Sequence, residues 1–319
     1  MRAIVVTTLD GPESVSLQEA PAPADDSRVA IAVKAAGVSF PELLQTRGQY
    51  QLKPDLPFIP GAEVAGVVTA APPDSGLAPG DRVAALPLIG GFAENVTTRP
   101  DLAFRLPDNV DFAAGASIIF NYGTVHFALT TRGRLAEGET VLVHGAAGGI
   151  GTAAIQVAKA FGAGRVIGVV STDAKGAVAV DAGADEYVLT EDFSSFARSA
   201  RNTVDIVVDP VGGDRFTDSL RTLREDGRVL VIGFTAGSIP EVRVNRLLLN
   251  NIEVVGVGWG AYALGKPGFI QQQWNELLPH LSSGALAPVL GPIFPLERAA
   301  DALKLLDQRG ATGKITLAM

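Results

Sequence analysis

The chain contains no cysteine. Disulfides and thiolate metal sites are therefore excluded, and cysteine pairing gives no signal about redox compartment. Histidine is scarce as well. His126, His144 and His280 stand far apart without zinc-type ligand spacing, and each reads as structural. No run of about 18 apolar residues occurs, and residues 1–8 form a short strand-like run rather than a charged start followed by a long apolar segment. The expectation is a cytoplasmic protein with no membrane partner. Basic clusters are missing too. With 26 Lys and Arg against 34 Asp and Glu the net charge is −8, so nucleic acid and other polyanions are poor partners.

What is present is an ordinary α/β composition. The 319 residues are 47% hydrophobic and 19% charged, with 36 Gly and 20 Pro for tight connections, a length that suggests two domains. Up to about residue 120, short Val/Ile/Ala runs at 28–34, 62–68, 81–85 and 92–96, broken by Pro and Gly, predict a compact β-rich domain. From about 122 to 258 strands and helices alternate. Strands are expected at 140–145, 166–171, 186–190, 204–209, 227–233 and 252–257, with helices near 150–161, 173–182 and 214–224, which makes a doubly wound parallel sheet. The tail holds a helix at 269–283, a Pro-rich extended piece at 288–295, a helix at 297–308 and a strand at 313–317. It is too small to fold alone and is expected to return to the β-rich domain. The domains are then 1–121 with 260–319, and 122–259.

The most informative stretch is Thr140-Val-Leu-Val-His-Gly-Ala-Ala-Gly-Gly-Ile-Gly151, a buried strand running through a glycine turn into a helix. Gly148 and Gly149 let the backbone approach a pyrophosphate, Gly151 lets the helix pack tightly on the strand, and the helix N-terminus around Ile150 supplies N–H donors and a positive dipole. Ala146 stands where the first glycine of the dinucleotide fingerprint is usual, so the motif is a variant. A second apolar strand follows at βαβ spacing, which places the turn in the right context.

The order of β-rich domain, glycine turn and returning tail resembles the medium-chain dehydrogenase/reductase superfamily. The motifs Ala36-Gly-Val-Ser-Phe40, Pro60-Gly-Ala-Glu63, Pro79-Gly-Asp-Arg-Val83, Gly90-Gly-Phe-Ala-Glu94, Leu135-Ala-Glu-Gly-Glu139 and Val254-Val-Gly-Val-Gly-Trp-Gly260 are similar to its zinc-independent quinone oxidoreductase (zeta-crystallin-like) branch. The resemblance spans essentially the whole chain and implies an α/β protein with a GroES-like catalytic domain and a Rossmann domain. Where the zinc alcohol dehydrogenases of that superfamily carry a Cys and a His, this chain carries Ser39 and Ala62; Glu63 remains and reads as a structural carboxylate. The resemblance also implies that Tyr50 lies at the mouth of the substrate cleft, either donating a proton to the acceptor or packing on the cleft wall. It implies nicotinamide contacts from Asn121 and Thr124, on the segment expected to cross between domains, with Asn121 alternatively a helix cap. Ser39 stands where relatives carry an asparagine near the cofactor ribose, and Arg309 is a candidate near the phosphates.

An acidic side chain about 20 residues past the turn would hold a ribose 2′-hydroxyl in NAD-binding versions. Here Ser171 and Thr172 offer uncharged hydroxyls and Lys175 a cation for a 2′-phosphate, so NADPH is the expected cofactor; Asp173 reads as the N-cap of the next helix and Thr190 replaces a tyrosine of relatives. Gly233 and Phe234, at the end of the fifth strand, are expected beside the nicotinamide, with Phe234 alternatively core. Without a Lewis acid, alcohol oxidation is disfavoured, whereas a quinone needs chiefly close approach and hydrogen bonds to its oxygen. The reading is an NADPH-dependent quinone reductase with a small-molecule quinone or enone substrate. The alternatives are an enone or enoyl-thioester reductase and a non-enzymatic NADPH-binding or RNA-associated protein. The Val-rich sixth strand, Glu253 to Gly258, resembles the edge through which this superfamily forms homodimers.

Overall fold

A computed structural model describes all residues from Met1 to Met319. The chain opens with β1 (Arg2–Val6), β2 (Val15–Glu19), β3 (Val29–Val38), α1 (Phe40–Thr46), β4 (Glu63–Ala70), β5 (Arg82–Ala85), β6 (Asn95–Thr98), β7 (Ala103–Arg105) and α2 (Phe112–Gly115). Then come α3 (Ile119–His126), β8 (Thr140–His144), α4 (Gly149–Ala160), β9 (Arg165–Val170), α5 (Asp173–Asp181), β10 (Glu186–Leu189), α6 (Phe193–Ser199), β11 (Val204–Asp209), α7 (Phe216–Thr222), β12 (Leu223–Val231), α8 (Asn245–Asn250), β13 (Glu253–Gly256) and α9 (Trp259–Leu264). The return consists of α10 (Phe269–Ser283), β14 (Leu290–Pro295), α11 (Ala299–Asp307) and β15 (Lys314–Ala318). Two compact units result: one of residues 1–120, 268–284 and 288–319, the other of 121–267 with 285–287.

In the first unit, β1 and β2 pair antiparallel, and a seven-stranded sheet runs β14-β15-β3-β4-β5-β7 with β6 also paired to β3. Val29, Ile31 and Val33 alternate inward on the first half of β3, as the period of two requires, while Lys34 is exposed. Its second half pairs with the last strand of the chain, Ile315 opposite Val38 and Leu317 opposite Ala36. The tail thus supplies an interior strand of the sheet. Leu296, Ala299, Ala302 and Leu303 pack into the same apolar core as Ile31, Val64 and Phe92. The predicted strand at 92–96 is displaced: Ala93 makes only an isolated bridge with Ala3, and the ladder begins at Asn95.

The second unit is a six-stranded sheet in the order β10-β9-β8-β11-β12-β13, parallel throughout. Every residue of β8 is buried, the unbroken apolar run expected of a strand covered on both faces. Chain order reverses between β8 and β11, which marks the crevice at the carboxyl ends of those strands. The helix α6 was not legible in the sequence, whose Phe193-Ser-Ser-Phe-Ala-Arg-Ser199 pattern is short and polar. The unit runs on to Pro267, beyond the expected 259, and α9 packs within it, the Tyr262 ring lying 4.7 Å from that of Phe127. β13 ends the sheet order, and nearby Val244, Leu248 and Leu249 are all exposed.

Candidate functional site

The carboxyl ends of the parallel strands gather most of the cofactor residues read from the sequence. β8 ends at His144, and the chain turns through Gly145, at φ +60°, and Ala146 to Gly148, the N-cap of α4. A Cβ on Gly151 would lie 2.1 Å from the Gly145 carbonyl oxygen and 2.7 Å from Ala146 Cα, so only glycine lets α4 start this close to the strand. A Cβ on Gly148 would meet nothing nearer than 3.4 Å. Packing inside the protein does not require glycine there; an approaching ligand would. The amides of Gly149, Ile150 and Gly151 form the first turn of α4, ahead of the first intrahelical bond from Thr152 N to Gly148 O. These free donors and the helix dipole suit a pyrophosphate.

Ser171, Thr172 and Lys175 follow β9 at the same end of the sheet. The N-cap of α5 is Thr172, whose Oγ1 accepts from Lys175 N at 3.3 Å, and not Asp173 as expected. Asp173 instead accepts a hydrogen bond from the Tyr187 hydroxyl at 3.0 Å. The capping function went to Thr172 because its backbone is extended, φ −150° and ψ 157°, the geometry a cap needs. Tyr187, on the neighbouring β10, was missed by the sequence reading; a Cβ on Gly176 would collide with its ring at 2.6 Å, which shows how closely α5 lies against it.

Gly233 and Phe234 leave β12 beside the turn that follows β11. There the Asp209 Oδ1 accepts from the amides of Val211 and Gly212, both at 2.8 Å, and Thr235 N donates to Pro210 O. Phe234 is 37% exposed and lies against Gly212, so it is not core. Asn121 and Thr124 are buried within α3, 5% and 7% exposed; Asn121 is inside the helix and caps nothing. His144 donates to or accepts from Ser219 Oγ at 2.7 Å and stacks edge-on to Phe193, and burial pushes its pKa down to about 4. His126 packs edge-on against Phe161. Both rings are held by neighbours within their own unit.

Ser39, Tyr50 and Arg309 belong to the first unit. Ser39 is the N-cap of α1, and Glu42, the third residue of that helix, reaches back to the Ser39 amide at 2.9 Å and takes the Ala62 amide at 2.9 Å. Glu63, at the start of β4, accepts from Phe120 N at 2.9 Å. Between them stands Lys314 from β15, 4% exposed, donating to Ser39 Oγ at 2.5 Å and paired with Glu63 Oε2 at 3.2 Å. Gly37 makes room for it, since a Cβ there would lie 2.8 Å from Lys314 Cε. Burial raises the pKa of both Glu42 and Glu63, and the Lys314 charge opposes that rise. Neither Lys314 nor Glu42 was singled out from sequence. The available signal was one lysine in a short strand that otherwise reads Ile-Thr-Leu-Ala.

Tyr50 is half-buried at the end of the turn after α1, and burial, then the negative charge of Glu42, raises its pKa. Arg47, three residues earlier, anchors that turn to α11 by a bidentate bond to Asp307 at 3.0 and 2.7 Å. Arg309 follows α11 in a left-handed conformation, φ +57°.

Family profiles match both units: residues 25–108 fit the alcohol dehydrogenase GroES-like domain and residues 149–283 the zinc-binding dehydrogenase. The class is that of the medium-chain dehydrogenases and reductases. Quinone oxidoreductase-like protein 2 of Rattus norvegicus is 37% identical over 326 residues, covering 100% of this chain and 92% of its own. A probable oxidoreductase from Mycobacterium abscessus shares the fold with TM-score 0.90 and 41% identity, covering 100% and 99% of the two chains. The quinone oxidoreductase from Thermus thermophilus, solved alone and with NADPH, gives TM-score 0.88 at 33% identity, with 100% of both chains covered. The chain belongs to the quinone oxidoreductase branch of that superfamily.

The second profile names zinc, and the donor set here does not suit that ion. Where a metal would need thiolate, imidazole and carboxylate ligands, Ser39 and Glu63 already share the three-proton ammonium of Lys314. No cluster of three His, Cys, Asp or Glu able to hold an ion is formed. No helix is long and apolar enough to cross a membrane.

Proposed function

We propose that this protein is a metal-free, NADPH-dependent quinone reductase, with the first unit as its catalytic domain and the second as its cofactor domain. The observation that carries the reading is the Gly148–Gly151 turn, where one glycine is demanded by packing and the other leaves space that only a ligand would use. The family supports it, as do relatives named quinone oxidoreductases and neighbours solved with NADPH. The residues proposed for the cofactor are Gly148 to Gly151 for the pyrophosphate, Ser171, Thr172 and Lys175 for the 2′-phosphate, and Asn121, Thr124, Gly233 and Phe234 for the nicotinamide. Ser39 and Arg309 complete the set from the first unit.

When bound, NADPH supplies a hydride; a quinone takes up that hydride and one proton to become the hydroquinone. The chain's part is to orient and to supply the proton. Tyr50, its pKa raised by burial and by Glu42, keeps its phenolic proton at neutral pH and donates it to the acceptor oxygen, recovering one from solvent afterwards. Lys314 provides the fixed positive charge that a metal provides in zinc relatives, holding Ser39 and Glu63 in place. The edge strand β13 supports a homodimer.

The test follows the loss of nicotinamide absorbance with EDTA-treated protein, offering NADPH or NADH to quinones, enones and enoyl thioesters. Turnover preferring NADPH and quinones, lowered at least tenfold in kcat by Tyr50→Phe with KM for NADPH unchanged, is the expected result. Turnover confined to enones or thioesters would replace the substrate assignment. Unchanged kcat in the Tyr50→Phe enzyme would remove the proton donor.

A further inference from the structure

The second unit has a concavity at the opposite end of its sheet from the glycine turn. Ala197, Arg198, Arg201, Asn202, Leu220, Arg221, Arg246 and Asn250 line a space of about 410 Å³. Arg201 and Asn202 precede β11, and Leu220 and Arg221 precede β12, so the site lies at the amino ends of strands whose carboxyl ends carry the cofactor residues. One strand length, on the order of 20 Å, separates them.

Four arginines converge here in a chain of net charge −8. Two are accounted for locally: Arg198 donates to Ser194 Oγ and Ser195 Oγ, both at 3.0 Å, and Arg221 pairs with Asp218. Arg201 and Arg246 face the concavity without a carboxylate partner. Arg246 is partly buried, whereas Arg198, Arg201 and Arg221 are exposed. Like charges brought together cost energy unless an anion neutralises them, and the guanidinium fork matches phosphate oxygens in pairs. The volume is far larger than one phosphate needs and falls within the range of small-ligand pockets. Its lining includes the buried Ala197 and Leu220 and the exposed Asn202 and Asn250, the latter with its carboxamide nitrogen bonded to Arg246 O, a mixture that suits the organic part of a ligand.

We propose that this concavity binds a phosphate-rich organic anion of nucleotide size, such as a nucleoside polyphosphate, at a site separate from the dinucleotide turn. The overall acidity that argues against a polyanionic partner is thus locally reversed.

Calorimetric titration with ATP, with inorganic tripolyphosphate and with orthophosphate tests this on the full chain. The expected result is one ATP per chain, bound more tightly than tripolyphosphate and much more tightly than orthophosphate, and weakened by added salt. Arg201→Ala with Arg246→Ala should weaken ATP binding at least tenfold and leave NADPH oxidation unchanged, whereas Lys175→Ala should leave ATP binding intact. Should the double alanine variant unfold, Arg201→Lys with Arg246→Lys retains the charge but loses the fork and should still weaken binding several-fold. Binding that survives both double variants, or that disappears in Lys175→Ala, would overturn the proposal, the latter by assigning the heat to the cofactor turn. Equal affinity for orthophosphate and ATP would overturn it, as would tighter, length-dependent binding of single-stranded RNA.

Discussion

Gly148 and Gly151 stand three residues apart in one turn, and alanine at each should fail differently. In Gly151→Ala the new methyl would lie 2.1 Å from the Gly145 carbonyl oxygen and 2.7 Å from Ala146 Cα. Ordinary contact begins near 3.4 Å, so α4 must move away by about 1 Å or the turn must open. Both obstacles are backbone, which cannot rotate aside as a side chain could. Overpacking of this kind costs about 3 kcal/mol, and in a unit of this size each kcal/mol shifts Tm by about 2–4 °C. A fall of about 6–12 °C is expected. Gly148 has φ −84° and ψ 175°, which alanine adopts freely, and its methyl would make only an ordinary contact, 3.4 Å from the Gly145 carbonyl oxygen. Gly148→Ala should therefore match or slightly exceed the parent in stability, by up to about 1 kcal/mol from the reduced freedom of the unfolded chain. Its NADPH affinity should nevertheless fall at least tenfold, equivalent to about 1.4 kcal/mol. Thermal unfolding without ligand and fluorescence titration with NADPH separate the two effects. A Gly151→Ala protein as stable as the parent, or a Gly148→Ala protein that binds NADPH normally, would refute the assignment of packing to one glycine and ligand approach to the other.

Three further outcomes are expected. Lys314→Ala leaves Glu63 buried and uncompensated and should cost about 3–5 kcal/mol in denaturant unfolding, whereas Lys314→Met combined with Glu63→Gln should recover most of that loss; an additive double variant would contradict the pairing. The His144 imidazole is pushed down to about 4 from 6.5 by burial, so its stabilising contribution is complete above pH 6.5 and is lost as pH falls towards 4, amounting to about 3 kcal/mol. Unfolding free energies of His144→Gln, measured across that window, should lack this part of the slope; an identical profile would show that His144 does not titrate as the structure implies. Val254→Lys, placed on the outer strand of the parallel sheet, should shift sedimentation from dimer to monomer, and a parent that sediments as a monomer would dismiss the dimer.

The parallel sheet was legible because its strands are mostly apolar, Val/Ile/Leu-rich runs: 140–145, 166–171 and 204–209 were each placed within a residue of β8, β9 and β11. Segments whose pattern is short or mixed were not, as with α6 and the 92–96 strand, where tertiary pairing outweighed local preference. At the candidate site, the backbone-dictated part was readable. Glycines announce close approach, and Gly151 makes one against Gly145 and Ala146. The charge constellation of Ser39, Glu42, Glu63 and Lys314 was only partly readable. Its last member lies at the far end of the chain, and no spacing rule links residues brought together by strand pairing. Asp173 was misassigned because Thr172 offers the same chemistry one residue earlier, and the deciding factor is the backbone angle.

The hydrogen bond between Lys314 and Ser39 spans 275 residues. A ribosome adding 5–20 residues per second needs roughly 15–55 s to cover that interval. During that time the second half of β3, Ala35 to Val38, waits with one edge open, and the buried carboxylate of Glu63 has no cation. The second unit, nearly continuous in sequence, has emerged by then and is free to fold while the first is still incomplete. Without residues 314–319 the first unit would lack β15, the strand that joins β14 to β3, so its sheet cannot be completed until that stretch has been made.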